Sequence, residues 1–148
     1  MGDPFGQAEE GCAAIAPWTT GRSRRMTLYF DGGLRPAPAG MEIAVVTGGK
    51  AFVRERLGEG DSCTAEWLAL RYAAALAVAA GAEDVLFVGD ARTVVEQALG
   101  RWRCRGDALQ GHLAAWRATV AGIGRVHVRH VPRAKNLAGI ALARRHPR

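Results

Sequence analysis

Cysteine is scarce in this 148-residue chain, and the three present, Cys12, Cys63 and Cys104, show no CxxC spacing and no cluster with histidine. That absence argues against a zinc site or a disulfide framework. Long apolar runs are missing too: the alanine-rich stretch from Ala69 to Ala80 is interrupted by Arg71 and Tyr72, which excludes a membrane span there. The opening residues, MGDPFGQAEEG, lack the basic and apolar regions of a signal peptide, so a reducing cytoplasm is the expected setting. Lysine is almost absent, with Lys50 and Lys135 the only two. The positive charge therefore sits on arginine, which grips phosphate bidentately, although a compositional bias toward Arg and Ala accounts for the larger share of it.

What is present describes an ordinary globular chain, with 49% hydrophobic and 23% charged residues. Its length suits one domain with a real core. A net charge of +6 and a pI near 10.0 point to a polyanionic partner, nucleic acid being the usual one. Residues 1–25 mix Gly, Pro and Thr without periodicity and read as a flexible N-terminal arm. Residues 26–148 read as the folded domain.

Punctuation is regular from Met26 onward. Strands are predicted over Thr27–Phe30, Glu42–Thr47, Ala51–Leu57, Asp84–Val88 and Arg125–Val131, with Gly48-Gly49 as a tight turn. Asp61 or Ser62 caps a helix from about Thr64 to Ala80, stopped by Gly81. Further helices are expected over Ala91–Leu99, Ala108–Val120 and Leu137–Arg145. Three antiparallel strands followed by βα units give an α/β fold with a mixed five-stranded sheet flanked by helices.

Three carboxylates stand at chemically exposed points of that frame. Asp31 ends the first strand in YFDGG, Glu66 heads an apolar helix face shared with Leu70, Ala73 and Ala77, and Asp90 follows the strand VLFVG. Each has a plainer use: a turn residue, a first-turn acid favoured by the helix dipole, and an N-cap. Together they change the balance. Acids at two strand ends and one helix start converge on one edge of a sheet, and three close carboxylates call for a cation. Magnesium suits such an all-oxygen site.

These residues resemble the ribonuclease H type 1 family over Thr27 to about Ala143. YFDGG resembles its Asp-Gly strand, and Ala65-Glu66-Trp67-Leu68-Ala69-Leu70 resembles its Ala-Glu-aromatic helix. VLFVGDARTVVEQALG resembles its third-acid segment and HVPRAKNLAGIALAR its closing segment. The resemblance implies a metal-dependent endoribonuclease with a two-metal mechanism, acting on the RNA strand of RNA/DNA hybrids with Mg²⁺ or Mn²⁺. Asp31, Glu66 and Asp90 would be both catalytic residues and metal ligands. Gly32, Gly33, Ser62, Cys63, Arg101, Trp102, Arg103 and Asn136 would meet nucleic acid, and His130 is a candidate auxiliary group. Neither a membrane nor an obligate protein partner is implied.

The sequence departs from the family in specific places. Ile140 stands where the fourth acid belongs, Asp61-Ser62-Cys63 replaces a Thr-Asn-Asn run, Ala91 replaces a serine, and no basic insertion is present. A non-catalytic or weakly active nucleic-acid-binding module on the same fold is the alternative these departures leave open.

Overall fold

A computed structural model describes residues 25–146, so the expected N-terminal arm lies, apart from Arg25, outside the described residues. Five strands, β1 (Met26–Arg35), β2 (Gly40–Thr47), β3 (Lys50–Arg54), β4 (Asp84–Gly89) and β5 (Arg125–His130), form one sheet in the order β3-β2-β1-β4-β5. Helices α1 (Ser62–Ala79), α2 (Arg92–Ala98), α3 (Asp107–Val120) and α4 (Leu137–Arg145) cover it, with a 3₁₀ turn at Arg133–Lys135 before α4. The β1–β2–β3 meander is antiparallel, and β4 and β5 run parallel to β1. This is the mixed sheet that the order of elements predicts.

Alternation sorts the two faces. Met26, Leu28 and Phe30 are buried on one face of β1 and join Ile43 and Val45 of β2 in the main core. Trp67, Leu70, Ala73 and Ala77 of α1 close over them, joined by Phe87 of β4 and Trp116 of α3, whose rings meet edge to face at 5.8 Å. On the opposite face Ala44 packs with Ala138 and Leu142 of α4. The period of two puts Asp31 on this second face and Gly32 on the first.

Several boundaries differ from expectation. β1 does not stop at Asp31: pairing with β2 continues through Asp31–Ala44, Gly32–Ile43 and Gly33–Glu42 to Arg35–Gly40. Only the pairing with β4 ends early, at Tyr29–Val88, so Asp31 lies just beyond the end of its parallel neighbour. β3 ends at Arg54 rather than Leu57, because Arg56 adopts φ +59° and breaks the extended run. α1 starts at Ser62, capped by Asp61, whose carboxylate accepts from the Thr64 N–H at 2.7 Å. Gly81, at φ +69°, stops it as expected.

Candidate active site

β1, α1 and the end of β4 bring three acids together: one carboxylate oxygen each from Asp31, Glu66 and Asp90 lie within 4.8 Å of one another. Close approach of β1 to α1 makes this convergence feasible. A Cβ on Gly32 would sit 2.3 Å from the carbonyl carbon of Ala65, so only glycine lets the strand pass against the first turn of the helix. In return the Gly32 N–H donates to Glu66 Oε1 at 2.9 Å and aims that carboxylate at Asp31. Gly89 plays the same part for Asp90, since a Cβ there would meet the Phe30 ring at 2.4 Å.

Asp90 is not the N-cap of α2. Ala91 takes that position without any side-chain hydrogen bond, which leaves the Asp90 carboxylate free for the cluster. Its side chain is 7% exposed, and Oδ2 is buried with no hydrogen-bond partner; Arg133 Nε stands 3.8 Å away. At that distance, beyond hydrogen-bond reach, Arg133 offsets the charge of this buried oxygen only in part, and a closer cation would complete its pairing.

The electrostatics agree. Burial, then the charge of Asp90, pushes Asp31 up to about 6. Burial, then the charge of Asp31, pushes Glu66 up to about 9, against the lowering effect of the Gly32 N–H. Without a cation Glu66 keeps its proton through neutral pH and Asp31 keeps its own only below about 6; a divalent ion would displace them. All-oxygen donors, crowding and an orphaned buried oxygen fit a hard divalent ion.

A groove of about 630 Å³ opens from Asp31 along Gly32, Gly33 and α4 to Glu42 and His146. Ile140 lines it together with Asp31, an apolar side chain at the position where the resemblance expects a fourth carboxylate. Gly139 lies so near Asp31 that a Cβ would be 3.3 Å from its Oδ2. At the far end Glu42, Glu55 and His146 form a second acid–imidazole group, in which His146 Nε2 lies 2.8 Å from Glu42 Oε1 and Glu55 pairs with Arg145.

Other predicted residues divide. Trp102 is 47% exposed, with Arg101 and Arg103 exposed on either side. Ser62 is exposed and Cys63 half-buried in the first turn of α1. His130 sits at the end of β5 with Arg92 Nη2 3.5 Å from its Nδ1, and is not in the acid cluster. Asn136, expected to meet nucleic acid, is instead fully buried. Its Nδ2 donates to the Phe30 carbonyl at 2.9 Å and its Oδ1 accepts from the Ala138 N–H, so it caps α4 and fastens it to β1. Sequence reasoning assigned no role to Arg133, Gly139, Glu42 or His146. Arg133 and Gly139 lie within the closing segment HVPRAKNLAGIALAR, whereas no local pattern marks Glu42 or His146.

The sequence matches the reverse transcriptase-like family over residues 44–146. It is 30% identical over 125 residues to the bifunctional protein Rv2228c of Mycobacterium tuberculosis, covering 80% of this chain and 34% of that protein. An uncharacterized protein of Mycobacterium bovis, Mb2253c, matches to the same extent. The chain thus spans about a third of the length of the curated relatives it matches. Among solved structures, RNase H1 of the halophilic archaeon Halobacterium salinarum superposes with a TM-score of 0.69 at 28% identity, covering 80% of this chain and 94% of that one. The N-terminal RNase H domain of Rv2228c gives 0.69 at 24% identity over 80% and 95% of the two chains. LC11-RNase H1 in complex with an RNA/DNA hybrid gives 0.64 at 23% identity over 75% and 88%. With its sheet order, its three converging acids and these likenesses, the chain belongs to the reverse transcriptase-like family and has the ribonuclease H fold.

Proposed function

We propose that this protein is a metal-dependent endonuclease that hydrolyses the RNA strand of RNA/DNA hybrids. The observation that carries the reading is the convergence of Asp31, Glu66 and Asp90, with a buried Asp90 oxygen that has no hydrogen-bond partner and only Arg133 at 3.8 Å. A fold shared with a structure that binds an RNA/DNA hybrid supports the choice of substrate. Asp31, Glu66 and Asp90 would hold Mg²⁺ or Mn²⁺. When bound there, two such ions would supply the positive charge that activates a water and stabilises the leaving oxygen of the phosphodiester.

The chain's own contributions are positional. Glu66, fixed by the Gly32 N–H, holds its carboxylate beside Asp31; with the backbone at Gly32 and Gly33 it would read the ribose 2′-hydroxyl that distinguishes RNA from DNA. Gly33 adds no side chain to the groove floor, so a sugar-phosphate backbone can approach it closely. Exposed Arg101, Arg103 and Arg133 would meet phosphates, with Trp102 available to stack.

Substrate comparison tests this directly. Labelled hybrid, double-stranded RNA and double-stranded DNA are incubated with Mn²⁺; cleavage confined to the RNA strand of the hybrid is expected. Preference for either uniform duplex would move the activity to another nuclease class. Ile140 beside Asp31 favours one alternative, a binding module without catalysis on the same fold. Salt-sensitive hybrid binding with no cleavage in either metal would select it.

A further inference from the structure

The loop that carries the exposed cations is anchored from within the core. It follows α2 as Leu99 to Gly106 and presents Arg101, Trp102, Arg103 and Arg105 to solvent. Gln97, 4% exposed, lies beneath it. Its Oε1 accepts from the Trp67 indole N–H at 3.0 Å, and its Nε2 donates to the Arg103 carbonyl at 3.3 Å. One amide thus links the residue next to Glu66 to the middle of the basic loop. Other bonds brace the same loop: the Arg101 and Trp102 N–H groups donate to the Glu96 carbonyl, and Gln110 Nε2 donates to the Cys104 carbonyl at 3.3 Å. Cys104 is buried in the main core, and Cys63 of the first turn of α1 packs against the same core.

A solvated loop of arginines needs no such anchorage. Phosphate binding gains when cations are already in place, because the entropy of ordering a loop then does not oppose it. We propose that Gln97 is a positioning residue for the nucleic-acid strand: it holds Arg101, Trp102 and Arg103 at a fixed offset from Glu66, so that the strand gripped by the loop also lies over the acids. This rests on the nuclease reading for its substrate, but not on catalysis.

The test measures binding of a fluorescent RNA/DNA hybrid to the full chain, without divalent metal, across a range of salt. A double-mutant cycle combines Gln97→Met with Arg101→Ala/Arg103→Ala. Gln97→Met is expected to weaken binding about tenfold and to lower the slope of log K against log salt by about 2, one for each phosphate that Arg101 and Arg103 no longer neutralise. It should remove most of the effect of the arginine substitutions. On cleaved hybrid, KM rises while kcat holds. Gln97→Glu keeps the acceptor for Trp67 and loses the donor to Arg103, so it repeats the cycle with the core bond intact should the methionine variant fold poorly. Additive effects in both cycles, or an unchanged salt slope, would overturn the positioning role. If the wild-type chain binds no hybrid while the arginine variants behave like it, the substrate reading itself fails, and the role with it.

Discussion

Asp31 and Glu66 carry the clearest physical signature at the residue scale. Both are raised, to about 6 and about 9, above the ordinary 3.8 and 4.5, so across that interval the metal-free native state keeps protons that the unfolded chain has released. Stability of the metal-free protein therefore falls as pH rises through this window, and it is greatest toward the acidic end. Thermal melts in chelator should show a lower midpoint at pH 8.5 than at pH 5.5, and Mn²⁺ should reverse the loss at pH 8.5. Asp31→Asn removes one of the repelling charges. It is expected to stabilise the metal-free protein by about 2 kcal/mol at pH 8 and to abolish the Mn²⁺ effect. Ile140 supplies the second prediction, because it lines the groove beside Asp31. Ile140→Asp should lower the Mg²⁺ concentration for half-maximal hybrid cleavage roughly tenfold, a gain of about 1.4 kcal/mol. An unchanged or weakened metal response would mean that position 140 does not face the cation.

Among the elements, β1 and α1 do the assembling. Asp61 caps α1 through the Thr64 N–H, and Asp61→Ala should cost about 1 kcal/mol in a denaturant melt while leaving the acid cluster's residues unaltered. The contrast between β1 and α4 shows what was legible in the sequence. The helix α4 begins and ends where the sequence places it, at Leu137 and Arg145, although its cap, Asn136, is a local signal that the sequence reading assigns to nucleic acid instead. β1 runs five residues past the predicted Phe30, through two glycines that locally resemble a turn. What holds it extended is the long-range pairing with β2, which no local pattern reveals. Asp90 is similar: its sequence position suggests a cap, and only the placement of Ala91 frees it. The buried fate of Asn136 was hidden for the same reason, since its partner, the Phe30 carbonyl, lies 106 residues away.

For the whole molecule, the sheet order and the crossing of helices determine what the three acids can do. Asp31, Glu66 and Asp90 are 35 and 24 residues apart along the chain, yet the sheet and α1 gather them within 4.8 Å. Their order and residue type could be read from the sequence, together with the fold. Their crowding, the orphaned Asp90 oxygen and the groove past Ile140 belong to tertiary structure. Among the described residues no helix is long and apolar enough to cross a membrane. The chain's charge of +6 has the sign that the proposed polyanionic substrate calls for. Most directly, the account is tested by cleavage of an end-labelled RNA/DNA hybrid by the full chain in Mg²⁺ and separately in Mn²⁺, beside Asp31→Asn and Asp90→Asn. It predicts RNA-strand cleavage by the wild-type protein and none by either variant. Intact hybrid in both metals, or cleavage that survives the loss of Asp31 or Asp90, would contradict it.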